Sequence, residues 1–214
     1  HYPLAARFSS LVNIVAKSQI GKQLLRQLFG VSPLRDLPEF SSERFRDWFR
    51  RNPSPTTNHK VILLADLFTD YHDPMVGKHA VWVLESMGFE VMLSKVQELG
   101  RTFLSKGLLD KALETAETVV EGLAPFAQKN YPIIGLEPSE ILTIRDEYLD
   151  LVPDAQLQAA KTLASKTYTF EEFVALHKDR FPTTRLNPIS KAPKVVLHGP
   201  VSYTHLTLPT MDSV

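Results

Sequence analysis

The sequence predicts an α/β fold: about four mainly parallel strands with helices on both faces, preceded by a helical N-terminal connector. Three observations carry this. Short continuous apolar runs alternate with longer amphipathic stretches. Glycines and prolines fall between them. A breaker-rich segment separates a wholly helical beginning from the alternation. Continuous apolar strands are those buried on both faces, and strand–helix alternation implies right-handed crossovers into a parallel sheet.

The beginning reads as helix from Phe8 to Phe29, with Leu11, Ile14, Val15, Leu24, Leu25 and Leu28 on one side and Gly30 as a stop signal. A shorter helix, Ser42 to Arg51, carries an aromatic stripe of Phe45, Trp48 and Phe49, which reads as a docking face. Asn52-Pro53-Ser54-Pro55-Thr56-Thr57-Asn58 follows as a linker. A boundary therefore falls there, with 1–58 as connector and 59–200 as the α/β domain.

Within that domain Val61 to Ala65 is the first strand, and Asp66 to Asp73 a loop. Pro74 is a first-turn proline for a helix ending near Met87, where Gly88 stops it. Phe89 to Leu93 is the second strand, and a long helix is expected from about Leu104 to Gln128. Pro132 to Leu136 is the third strand, with a helix from Pro138 to Leu149. Gln156 to Ser165 and Phe170 to His177 read as helices, and Val195-Val196-Leu197-His198 as the fourth strand.

Composition narrows the function. Lys+Arg and Asp+Glu are both 24, so the formal net charge is zero, which argues against a nucleic-acid partner. No apolar run approaches the ~20 residues of a membrane-spanning helix. The chain contains no cysteine. That removes disulfides, cysteine zinc sites, cysteine nucleophiles and thiolate-ligated iron–sulfur clusters. It fits a cytoplasmic location, or one at the inner face of the membrane. The opening His1-Tyr2-Pro3-Leu4 holds neither a Met start nor a signal-peptide pattern, so the chain is expected to be a piece of a longer protein.

Ligands of parallel α/β sheets sit at the carboxyl ends of the strands. Those ends carry Asp66 and His72, Glu98 to Arg101, Glu137 with Ser139 and Glu140, and His198. Carboxylates with imidazole suit a divalent metal or acid–base work. The competing reading is that Glu137 and Ser139 cap a helix N-terminus. His198 suits a hydrogen-bonded structural role as well as a ligand role. Arg101 could hold an anion or pair with a nearby carboxylate. No glycine-rich dinucleotide fingerprint, phosphate loop or serine nucleophile elbow is present.

Four segments together are more specific. They are Leu64 to Gly77 (LADLFTDYHDPMVG), Gly100 to Asp110 (GRTFLSKGLLD), Gly135 to Tyr148 (GLEPSEILTIRDEY) and Val195 to Gly199 (VVLHG). They resemble the cysteine-rich CCG domain at the C-terminal end of FAD-linked 2-hydroxy-acid dehydrogenases of the glycolate oxidase and D-lactate dehydrogenase type. The stretch from Phe8 to Arg51 is similar to that family's connector. The resemblance implies a parent protein that oxidises a 2-hydroxy acid on FAD and passes electrons through 4Fe-4S clusters. The flavin and ferredoxin-like modules would then be the partners of this piece.

The same resemblance locates departures. The family's Cys-Cys-Gly-Arg corresponds to Glu98-Leu99-Gly100-Arg101, and its Leu-Glu-Pro-Ser-Cys ends here in Glu140. Its His-Gly-His-Cys reads His198-Gly199-Pro200-Val201. Glu98, Leu99 and Glu140 thus stand at former cluster-ligand positions. This piece is expected to carry no cofactor and to act as a scaffold or docking domain. The alternative is a non-redox domain binding a divalent metal or small anion through Glu98, Glu140 and His198. Residues 201–214, Val-Ser-Tyr-Thr-His-Leu-Thr-Leu-Pro-Thr-Met-Asp-Ser-Val, resemble translated sequencing adaptor and are expected to be a non-native tail.

Overall fold

The structure, a computed structural model, describes residues 8–181. Its centre is a sheet of four strands, all parallel: β1 (Lys60–Leu64), β2 (Glu90–Leu93), β3 (Ile133–Gly135) and β4 (Thr167–Thr169). The spatial order is β2-β1-β3-β4. Leu63 lies opposite Leu93, Leu64 opposite Gly135, and Gly135 opposite Thr169.

The predicted architecture is present, but its fourth strand is a different one. Thr167–Thr169 lies between two predicted helices and was not expected as a strand. It is three residues long, too short for periodicity to show, and only its β-branched and aromatic residues speak for it. Val195–His198 lies outside the described residues.

Helices cover both faces because β1 and β3 alternate their side chains. Ile62, Leu64 and Ile133 face α7 (Leu109–Gln128), α8 (Pro138–Arg145), α9 (Glu147–Leu151) and α10 (Asp154–Ala164). Val61, Leu63 and Ile134 face α3 (Phe45–Arg51), α5 (Pro74–Ser86) and α11 (Phe170–Leu176). Phe45, Phe173 and Leu84 are wholly buried there. The aromatic stripe therefore docks onto this chain's own core. Phe45 sits so close over Gly77 that a Cβ at residue 77 would lie 2.7 Å from its ring. The sequence boundary at residue 58 marks a change of pattern, and the packing runs across it.

Several helices are shorter than predicted, each for a local reason. Phe8 to Phe29 is two helices, α1 (Ser9–Lys17) and α2 (Gln19–Phe29), because extended Ser18 caps the second through the Gly21 N–H. The expected loop at Asp66–Asp73 contains α4 (Leu67–Tyr71), capped by Asp66. The long helix after β2 is α6 (Arg101–Ser105) and then α7, divided where Gly107 adopts φ +69°. Pro138 to Leu149 is divided into α8 and α9 at Asp146.

Candidate functional site

The chain leaves β1 toward β2 and then returns across β1 to form β3. The gap between the carboxyl ends of β1 and β3 is thus the topological switch point, where loops diverge to opposite faces and leave a crevice. The sequence places carboxylates on each of the three loops that surround it: Asp66 after β1, Glu98 after β2, and Glu137 with Glu140 after β3.

Two of these acids are helix caps. Asp66 accepts the Thr69 N–H at 2.9 Å and the Thr69 hydroxyl at 2.7 Å. Glu137 accepts the Ser139 N–H at 3.2 Å and its hydroxyl at 2.6 Å. Negative charge and side-chain acceptors are favoured where a helix leaves N–H groups unpaired. Ser139 is held within that cap.

Leu99 and Glu140 meet at the bottom of the crevice, whereas Glu98 is exposed at its mouth. Leu99 is buried, and both its backbone groups are engaged. Its N–H donates to the Glu140 carboxylate, and its carbonyl accepts the hydroxyl of buried Tyr148 at 2.8 Å. The second Glu140 oxygen, Oε2, is buried with no hydrogen-bond partner among the described residues. Burial pushes the Glu140 carboxyl up to about 7. The Leu99 N–H opposes this shift, and the charges of Asp66, Glu137 and Glu98 add to it. Below neutrality the Glu140 side chain is therefore largely a neutral acid. Burial likewise raises the Tyr148 phenol above its ordinary value, so it remains a donor.

Gly100 has φ +79°, and a Cβ there would meet Thr115 at 3.3 Å. Glycine is what lets the chain turn from Leu99 into α6 over the flank of α7. The Arg101 guanidinium pairs with Glu147. That is the carboxylate-paired alternative of the sequence reading, and it turns Arg101 away from anion binding. His72 does not line the crevice. Its Nδ1 lies 2.8 Å from the Glu39 carbonyl, and its ring packs on Phe40 at 4.7 Å and on Phe68 at 5.3 Å. It stands behind Phe68 and ties the connector to α4. His198 lies outside the described residues. Among the described residues no three His, Asp or Glu side chains are arranged to hold a metal ion.

Space follows the same pattern. Around Leu64, Leu99, Gly135 and Glu140 a cavity of only about 10 Å³ remains. Outside it lies an open cleft of about 390 Å³, rimmed by Phe68 and Val76 and bordered by Gln97, Glu98 and Thr102. A larger hollow of about 570 Å³ lies along β4, lined by Arg145, Tyr168, Glu172 and Leu176. There the Arg145–Glu172 pair, at 2.7 Å, satisfies both charges. The switch-point crevice is the better candidate because the chemistry-bearing loops converge on it.

The sequence reading missed the group that holds these loops. Asp70 is wholly buried. It accepts from Arg44 at 2.5 Å, from the Arg46 N–H at 2.9 Å and from the Gln97 amide at 2.9 Å. Arg46 reaches on to the carbonyls of Ser94 at 2.6 Å and Val96 at 3.3 Å. The two guanidinium groups respond oppositely. Burial would lower Arg44, but its close bond to Asp70 raises it. Burial lowers Arg46, whose Nε stands 3.9 Å from Asp70 with Arg44 repelling it. The signal that could have exposed Asp70 is its place in the Leu64–Gly77 segment, one turn after the capping Asp66.

Tyr148→Phe removes the hydroxyl that satisfies the Leu99 carbonyl. It is expected to destabilise the fold by about 1–2 kcal/mol, since it leaves a buried acceptor unpaired. Denaturant unfolding of the two proteins checks this.

Comparison with known proteins gives the chain relatives. It is similar to a subunit of the anaerobic glycerol-3-phosphate dehydrogenase of Escherichia coli K12, with 30% identity over 149 residues, covering 68% of this chain and 38% of that protein. It is similar to the D-2-hydroxyglutarate dehydrogenase of Haemophilus influenzae, with 22% identity over 162 residues, covering 71% of this chain and 16% of that protein. The D-2-hydroxyglutarate dehydrogenase of Escherichia coli K12 is 32% identical over 88 residues, covering 41% of this chain and 9% of that protein. The chain thus spans well under half the length of these curated relatives, all of which are dehydrogenases or parts of one. No family model matches it, and no solved structure matches it. No helix among the described residues is long and apolar enough to cross a membrane.

Proposed function

We propose that this chain is part of an FAD-linked dehydrogenase acting on a 2-hydroxy acid or a related alcohol, and that its α/β domain is a cluster-free scaffold within it. The flavin and ferredoxin-like modules would belong to the same parent protein or complex, and this domain would dock or cover them. The observation that carries the reading is the meeting of Leu99 and Glu140 in one closed crevice, with Glu98 exposed at its mouth. The residue types there do not suit an iron–sulfur cluster.

The fit is poor on two counts. The sequence offers no cysteine at any position, and such clusters are held by thiolates. The space is filled by the Leu99 side chain and the Glu140 carboxyl, leaving about 10 Å³. Likewise the crevice lacks the glycine-rich turn that seats a dinucleotide pyrophosphate. The similarity to dehydrogenases supports membership in such an enzyme. The metal- or anion-binding alternative needs Glu98, Glu140 and His198 together, and His198 lies outside the described residues, while Arg101 is paired with Glu147.

Two experiments separate the halves of the proposal. The gene on either side of this chain, or the genes beside it, should encode a flavin-binding domain and ferredoxin-like cysteine motifs; flanks encoding neither would overturn the parent assignment. Anaerobic reconstitution of the chain with iron and sulfide should leave it colourless and iron-free. Stoichiometric iron with a charge-transfer band near the visible edge would overturn the scaffold role.

A further inference from the structure

The connector and the crevice are joined by an unbroken run of polar contacts. Asn13 on α1 clamps Phe40: its amide donates to the Phe40 carbonyl at 2.8 Å, and its oxygen accepts the Phe40 N–H at 2.9 Å. One residue on, the Ser41 N–H donates to the Tyr71 carbonyl at 2.7 Å. Next to Tyr71 stands Asp70, which binds Arg44 and the Arg46 N–H. The Arg46 guanidinium then holds the Ser94 and Val96 carbonyls, and Asp70 itself holds Gln97. Glu98 and Leu99 follow directly.

We infer that this linkage sets the position of the 94–99 loop, so that displacing the N-terminal helices opens the crevice at Leu99. The stretch from Ser94 to Leu99 has no strand pairing of its own beyond the Ser94 N–H to the Leu63 carbonyl at 3.0 Å. Its backbone is held by side chains from other elements instead, Arg46 from α3, Glu140 from α8 and Tyr148 from α9, while Asp70 from α4 holds the Gln97 side-chain amide. Arg46 belongs to the connector, and Asp70 is bound to the connector's Arg44 and Arg46. A carbonyl pair gripped by one guanidinium has discrete held and released arrangements, the kind of element through which a distant contact biases a site. The connector ends of α1 and α2 expose large apolar side chains, Ile14 and Leu28 among them. A module seated on them would therefore act on the crevice through Asn13.

Amide hydrogen exchange on the full 214-residue chain tests this. Arg46→Met removes both carbonyl contacts and keeps the apolar stem, whereas Asn13→Ala acts at the far end. Each should speed exchange of the Leu99 amide roughly two- to thirtyfold. The double variant should exchange no faster than Arg46→Met alone, because residues in one linkage are non-additive. Ile133→Val, a core change within β3 of the same sheet, should leave Leu99 exchange unchanged while lowering overall stability. If Arg46→Met does not fold, Arg46→Lys with Asn13→Ala provides the same comparison. The inference is overturned if Leu99 exchange is unmoved in folded Arg46 variants. Additive effects, or an Asn13→Ala effect no larger than that of Ile133→Val, would also overturn it.

Discussion

Asp70→Ala is expected to destabilise the fold by about 3–5 kcal/mol, the range for breaking a buried ion pair and leaving its partner uncompensated. The carboxylate is wholly buried, and it serves Arg44, the Arg46 backbone and Gln97 at once. Without it, two guanidinium groups face each other at a site with little water, and Arg46 is already the more buried and less favoured cation. A chain of this size loses roughly 2–4 °C of melting temperature per kcal/mol, so the midpoint should fall by about 6–20 °C. Asp70→Asn keeps an acceptor for the Arg46 N–H and should lose less. Thermal melts of the three proteins check the order. A melt of Asp70→Ala within about 2 °C of the parent would show that the pair adds nothing beyond a hydrophobic substitute.

The second large effect is the pH dependence of stability. Glu140 titrates near 7 when folded and near ~4.3 when unfolded, so the folded state binds its proton more tightly. The stability associated with that proton is fully present below about pH 4.3 and is lost as pH rises through about 7. At about 1.4 kcal/mol per pH unit, and discounted for the partial exposure of the group, the loss is about 2–3 kcal/mol between pH 4.5 and 8. Glu140→Gln keeps an acceptor for the Leu99 N–H and cannot ionise. Its stability should exceed that of the parent by about 2 kcal/mol at pH 8.5, and fall up to ~1 kcal/mol below it at pH 5, where a buried amide N–H₂ is left short of partners. Urea midpoints across this pH range give the difference directly. Parallel pH profiles for the two proteins would place the titrating group elsewhere.

The contrast between these two acids shows what the sequence reveals and what it hides. Glu140 could be singled out because it is the one position at which a segment otherwise similar to a family pattern, Gly135 to Tyr148, departs from it. Asp66 and Glu137 could be read as caps because a cap and its helix are neighbours in the chain. The first three strands were legible for a similar reason, each being an apolar run long enough to stand out. Asp70 was invisible because its partners lie 24–27 positions away in the chain, on α3 and in the loop after β2. β4 was hidden by its length of three residues. Its pairing with β3 supplies what local propensity does not. Leu99 gave no sign that its backbone carries the contacts, since burial of a leucine is the ordinary expectation and its two hydrogen bonds come from Glu140 and Tyr148.

The backbone of the crevice is held in place independently of what its lining residues bind. Gly100 and Gly135 are fixed by close approach: a Cβ at 135 would lie 2.4 Å from the Ile141 Cβ, and one at 100 would press on Thr115. These constraints concern the backbone path and are independent of what the neighbouring positions bind. Residues 98, 99 and 140 can therefore differ from a thiolate set while the loops keep their course, provided the vacated space is filled. Leu99 fills it with apolar volume, and Glu140 satisfies the Leu99 N–H.

The most direct test of that closed crevice is an NMR titration of the Glu140 side-chain carboxyl together with the Leu99 amide. The geometry predicts one shared midpoint near pH 7, with the Leu99 amide shift following the carboxyl because the two are bonded. A Glu140 midpoint near ~4.3, the ordinary value for an exposed glutamate, with a Leu99 amide indifferent to it, would contradict the account.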